Sequence, residues 1–252
     1  GPNYYTRLRA SMTADAAKVY VDGCYGFVQD GRPVYPEYND TIMSREFEPW
    51  LSSENETMRI GLDFGLTPAA VIGQRGALGQ WRIIDELVSE RMGAKQLALA
   101  LAPVLAKYPG YKFEIVGDPS GEQGASIDSE QTVFSILRAN GIQAVPTMTN
   151  DPVMRREAGR APMMRMIDGE PGLLIHQRCL QLRKALGGKF QYRRLQVAGG
   201  ARFADRVDKN QFSHVAEAYE YMLLGGGENP KLSQNQPAQG PIAMKQDWSP
   251  YD

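Results

Sequence analysis

The sequence is poor in cysteine, has no long apolar run and lacks a phosphate-binding loop, and each shortage removes a class of reading. Its 2 cysteines, Cys24 and Cys179, have no Cys or His near them at zinc spacing. That excludes a disulfide framework and a structural zinc, and fits a reducing compartment. No stretch of about 18 apolar residues occurs and nothing resembles a signal peptide, so neither a membrane span nor export is expected. The pattern G-x-x-x-x-G-K-[ST] is absent, which leaves out a P-loop nucleotide site. Net charge is lacking too, at −1 over 252 residues. What is present, 42% hydrophobic and 23% charged residues, suits one large core with irregular ends. Gly1-Pro2 matches the remnant left by a tag-cleaving protease, so the natural polypeptide is expected to begin upstream.

The near-zero net charge hides an asymmetry. From Arg155 to Lys209 there are 13 cations (Arg155, Arg156, Arg160, Arg165, Arg178, Arg183, Lys184, Lys189, Arg193, Arg194, Arg202, Arg206, Lys209) against 5 anions, a local excess of +8. One such residue is ordinarily a solvated surface charge. Thirteen in a third of the chain offer a docking surface for a polyanion.

Residues 1–57 have weak periodicity and scattered turn formers and read as a lead-in or linker. Residues 58–64, 69–74 and 80–87 are short β-like runs with hairpin-length connections, an antiparallel meander. Helical spacing over 93–108 ends at Pro109-Gly110, followed by a strand at 112–117, a helix over 129–139 and a strand at 143–145. Helices at 151–166 and 176–186 come next, with Met154, Met163, Met164 and Met166 read as packing residues. A β-hairpin over 189–203 turns at Gly199-Gly200, and the helix over 211–224 carries an apolar face with His214, Glu217 and Tyr221 on the other. Residues 225–252 read as a flexible tail. Three antiparallel strands and then alternating strands and helices predict an α/β, ribonuclease H-like mixed sheet with helices on both faces, spanning 58–224, plus the added hairpin.

The chemistry centres on acids. Asp63 closes an apolar strand in Ile60-Gly61-Leu62-Asp63-Phe64-Gly65, where a carboxylate must be paired, protonated or metal-bound. Asp118 closes the strand of Ile115-Val116-Gly117-Asp118-Pro119, which this topology places beside the first. Neighbouring carboxylates repel unless a cation lies between them, which points to Mg²⁺ or Mn²⁺. A two-ion centre needs a third acid. Glu217 on the last helix is the choice, with Asp208 and Asp205 as substitutes and His214 as a further ligand or water-orienting group.

Asp208-Lys209-Asn210-Gln211-Phe212-Ser213-His214-Val215-Ala216-Glu217-Ala218-Tyr219-Glu220-Tyr221 resembles the C-terminal motif of phage terminase large-subunit nucleases: Ser-His, two residues, an acid, Ala, then Tyr. The Gly-Leu-Asp-Phe-Gly strand, the Gly-Asp-Pro strand end and Leu174-Ile175-His176-Gln177-Arg178-Cys179 are also similar to that family, and the resemblance spans Tyr35 to Leu224. It implies a metal-dependent endonuclease that cuts concatemeric viral DNA, with Asp63, Asp118 and Glu217 as metal-binding catalytic acids. The third acid is usually Asp, so Glu217 departs from the pattern. It also implies double-stranded DNA, an N-terminal packaging ATPase, a small terminase subunit and a portal as partners, and the host cytoplasm as the place of action. Lys189, Arg193, Arg194, Arg202 and Arg206 are the candidate DNA-binding residues, with Lys189 and Arg193 on one face of the hairpin.

Two rivals remain. Asp63-Phe64-Gly65-Leu66-Thr67 also fits D-x-G-x-T, the first phosphate loop of actin-like and sugar-kinase folds, which require a second such domain. A non-catalytic module docking on DNA or a portal would leave the pairing of Asp63 with Asp118 without purpose.

Overall fold

The computed structural model describes residues 31–53, 55–65, 67–122, 124–126, 129–195 and 202–228; residues 1–30, the Gly199-Gly200 turn and residues 229–252 lie outside the described residues. The chain begins with strand β1 (Gly31–Pro33), a short helix α1 (Asp40–Met43) and β2 (Ser44–Arg45). The expected meander follows as β3 (Thr57–Asp63), β4 (Ala69–Arg75) and β5 (Trp81–Val88), each within about a residue of its predicted bounds. After it come α2 (Ala94–Leu105), β6 (Lys112–Gly117), a small hairpin of β7 (Gly124–Ser126) and β8 (Ser129–Thr132), α3 (Val133–Ala139) and β9 (Ala144–Pro146). Next are α4 (Pro152–Arg160), β10 (Met166–Ile167), β11 (Glu170–Pro171), β12 (Leu173–His176) and α5 (Leu180–Lys184). Strands β13 (Gln191–Leu195) and β14 (Arg202–Val207) and helix α6 (Ser213–Gly225) complete it.

Seven strands form one mixed sheet in the order β2-β12-β5-β4-β3-β6-β9. Strands β3, β4 and β5 are antiparallel neighbours, and β6 joins β3 in parallel with Leu62 opposite Gly117. This is the ribonuclease H-like order expected, widened by β12 and β2, which run parallel to β5. Side chains alternate along β3. Met58, Ile60 and Leu62 enter a core under α2 and α3 with Leu97, Leu101, Phe134 and Leu137. The opposite face packs Val71, Trp81 and Ile83 against Val215, Tyr219 and Met222 of α6. Helices therefore cover both faces, and Asp63 lies on the α6 side.

Four expectations shift. Thr132 accepts from Ser135 N–H at 3.1 Å while Ser135 Oγ accepts from Thr132 N–H at 2.9 Å, so a reciprocal cap starts the helix at Val133 and leaves 129–132 as a strand. The helix over 151–166 stops at Arg160, where Pro162 forces a 3₁₀ turn; Met163 is buried there, but Met164 and Met166 are exposed and do not pack. The helix expected over 176–186 begins only at Leu180, since His176 ends a buried strand, Leu173–His176, whose three apolar residues are too few to show a period that separates strand from helix. Residues 31–57 are more than a lead-in: β1 pairs with β13, β2 extends the sheet, and Tyr35 is buried in the core. No helix among the described residues is long and apolar enough to cross a membrane.

Candidate metal centre

Close packing of α6 on β3 creates the site. A Cβ on Gly61 would come within 2.0 Å of the Ala218 carbonyl oxygen and 2.6 Å of the Met222 nitrogen, so only glycine lets the helix backbone lie on the strand. Asp63, two residues along the same face, meets the first turn of α6. There its Oδ2 lies 2.6 Å from His214 Nδ1. Gly65 keeps that space open, since a Cβ there would stand 2.9 Å from the His214 ring. Glu217, one turn further on, brings a second carboxylate, and ligand atoms of Asp63, His214 and Glu217 all lie within 4.8 Å of one another.

Asp118 is placed next to this group and not within it. Its N–H donates to Leu62 O at 3.2 Å, which sets it beside Asp63 at the carboxyl edges of the paired strands. Its Oδ1 accepts from Ser120 N–H at 2.9 Å, and it also hydrogen-bonds Tyr221 of α6. Asp205 and Asp208 join no metal-sized group among the described residues.

The electrostatics are unbalanced. Asp63 is 3% exposed, and burial pushes its pKa up to about 6, against the His214 hydrogen bond and with help from Glu217. The same hydrogen bond raises the pKa of His214, against the effect of burial. The face of α6 that carries Glu217 and Glu220 is buried against α4. Arg155 of α4 is only 8% exposed, lies 3.8 Å from Glu217 and 3.7 Å from Glu220, and stacks over the Tyr221 ring at 4.7 Å. Glu220, buried completely, accepts from Tyr35 Oη at 2.7 Å; burial raises its pKa to about 7, against Arg155 and Tyr35. Glu217 also accepts from Lys209 Nζ through both carboxylate oxygens.

A cleft of about 470 Å³ opens beside Glu217, lined among others by Arg155, Arg156, Arg206 and Lys209. Of the thirteen cations, Arg155, Arg160, Arg165, Arg183 and Lys209 are bound to carboxylates, so the basic third is not one DNA-facing surface. Lys189 falls in the π-helical turn before β13 and not on the hairpin, and the register of β13 shifts between Tyr192 and Arg194, so Lys189 and Arg193 do not share a strand face. Arg193, Arg194, Arg202 and Arg206 are exposed on the β13–β14 hairpin, which pairs with β1 in a three-stranded sheet.

Sequence reading missed Arg155 and Lys209 as partners of Glu217. One signal was available: Glu217 and Glu220 share a helix otherwise rich in apolar residues, and buried acids require cations. The D-x-G-x-T rival loses support, since after β9 the described strands do not repeat the meander.

No protein-family model matches the sequence, and no curated relative does. Solved structures do. The large terminase of a thermophilic bacteriophage, in complex with ADP, superposes with a TM-score of 0.55 at 14% identity, covering 88% of this chain and 51% of that one. The P22 large terminase nuclease domain gives 0.53 at 12% identity, covering 77% of this chain and 93% of that one. The chain thus spans about half the length of the thermophilic phage's terminase and nearly all of the P22 domain. It has the ribonuclease H-like fold of the large-terminase nuclease domains.

Proposed function

We propose that this chain is a divalent-metal-dependent endodeoxyribonuclease that cuts concatemeric viral DNA during genome packaging. The observation that carries this reading is Asp63: a nearly fully buried carboxylate, its pKa pushed up to about 6, within 4.8 Å of Glu217 and His214 and beside Asp118. Burial of that carboxylate outweighs the help of His214 and Lys209, and oxygen donors with one imidazole suit a hard divalent cation, Mg²⁺ or Mn²⁺. Asp63, Asp118 and Glu217, with His214, would hold two such ions. A cation bound there supplies Lewis acidity, activating a water as nucleophile and offsetting charge on the leaving oxygen of a phosphodiester.

The chain's own groups orient this chemistry. Ser120 N–H and Tyr221 fix the Asp118 carboxylate, and the Asp63 hydrogen bond sets the His214 ring. Arg155 holds Glu217 from the buried side. The exposed arginines of β13 and β14, with Arg206 at the cleft, would attract duplex DNA toward an acidic centre that by itself repels phosphate. The packaging ATPase, small subunit and portal are proposed partners of a longer protein acting in the host cytoplasm.

Incubating the chain with plasmid DNA and Mn²⁺ or Mg²⁺ tests the proposal. Nicking and cutting with little sequence preference, absent without metal and lost in Asp63→Asn and Asp118→Asn proteins, is expected. Cleavage undiminished in both variants would overturn it.

A further inference from the structure

Glu217 faces two cations of opposite character. Arg155 is shut in: its side chain is 10% exposed, shared with Glu220 and stacked on Tyr221. Lys209 stands outside the helix, in the segment between β14 and α6, with its side chain 64% exposed while the carboxylate it grips is 7% exposed. Its ammonium binds both oxygens of Glu217, and those oxygens are the ones Glu217 presents to Asp63 and His214. An ammonium held against both oxygens of a buried carboxylate competes in charge and in space with a divalent ion for that group.

We propose that Lys209 is the displaceable counter-ion of this centre: its ammonium neutralises Glu217 and gives way into solvent to a divalent cation that takes the carboxylate. The proposal rests on the metal-binding reading above. Arg155 cannot play this part, since withdrawing it would leave Glu220 buried without its cation. Lys209 can, because its flexible stem is already mostly in water and its release exposes a well-hydrated ammonium. The exchange keeps the buried Glu217 compensated in both states, and it makes occupancy of the metal site and release of Lys209 mutually dependent, since coupling between two ligands of one group is reciprocal.

Calorimetric titration of the metal-free chain with Mn²⁺, without DNA, tests this on the parent, Lys209→Met, Lys209→Arg and Asp63→Asn proteins. Removing the competitor is expected to tighten Mn²⁺ binding by about three- to tenfold, the scale of one partly exposed ion pair. Lys209→Met should also melt at a lower temperature than the parent without metal and gain more from Mn²⁺. Lys209→Arg, which keeps the charge, should bind as the parent does, and Asp63→Asn should lose binding. Binding equal or weaker in Lys209→Met, with Asp63→Asn still deficient, overturns the counter-ion while leaving the metal centre intact. Absence of Mn²⁺ binding by parent and Lys209→Met alike overturns both.

Discussion

Helix α6 has a buried carboxylate at each end, and the two are treated in opposite ways. At its start, Asp63 has His214 as its hydrogen-bonding partner among the described residues, and its pKa is driven up to about 6. Just past its end, Glu228 is 6% exposed yet accepts from Trp81 Nε1 at 2.9 Å and from Arg165 at 2.6 and 2.9 Å, with Arg75 at 3.4 Å. Burial works to raise the pKa of Glu228, but Arg165 and Trp81 outweigh it and hold it below the usual carboxylate range. Burial alone therefore does not set the charge state. Glu228 has enough partners to be ionised and so serves as an anchor. Asp63 pairs with His214, but that contact does not offset its burial, as expected of a functional group more than of an anchor.

Substitution at the two ends should separate the two roles. Asp63→Asn is expected to lower DNA cleavage by two or more orders of magnitude, roughly the scale of losing a metal ligand. Its melting temperature without metal at pH 7.5 should be unchanged or raised. A clear fall in melting temperature would mean that Asp63 is an anchor like Glu228. Glu228→Ala should do the reverse, costing about 2–4 kcal/mol in urea denaturation because it strands Arg165, while cleavage per folded molecule persists.

pH sharpens the same contrast. Glu220, three residues past Glu217, has its folded pKa raised from 4.5 to about 7, so the stability it contributes is complete below 4.5 and lost as pH rises through 7. Glu228 has a lowered pKa, so its contribution is present above 4.5 and lost as pH falls below that. Metal-free Glu220→Gln protein should show a flatter decline of stability between pH 5 and 8, by something on the order of 2 kcal/mol. Glu228→Gln should instead flatten the acid limb. Chemical denaturation across pH reads both, and a Glu220→Gln profile that parallels the parent's would remove Glu220 from the under-compensated group. The smallest effect concerns the hairpin. Arg202→Ala with Arg206→Ala should lower the log-log salt slope of DNA binding by about 1.8, at about 0.9 per contact, leaving metal binding unaltered. A salt series by fluorescence anisotropy measures it.

Local pattern made part of this legible. The meander, the strand ends at Asp63 and Asp118 and the last helix follow from alternation, turns and helical period, and the resemblance of the last helix pointed to Glu217. What stayed hidden depends on contacts remote in sequence. Arg155 is 62 residues from Glu217, and nothing near it marks it as buried. Lys209 read as one more cation, since its exposure, at the edge of a buried carboxylate, is a property of the assembled cleft. Glu228 fell in a stretch rich in glycine that reads as tail, and only Trp81, Arg165 and Arg75 make it structural. Strand β12 was missed because its residues are buried on both faces, which erases alternation.

The path of residues 31–45 sets where this unit can be cut. The segment lays β1 along β13, sends the Tyr35 hydroxyl to Glu220 and then covers the outer side of β12 with β2. A fragment starting at Thr57 would expose a ladder of unpaired N–H and C=O groups on each of those strands and leave a void where a buried tyrosine stood. Such open edges template strand-to-strand association between chains. An excised version beginning there should self-associate on concentration, while one that retains Gly31 keeps both edges closed.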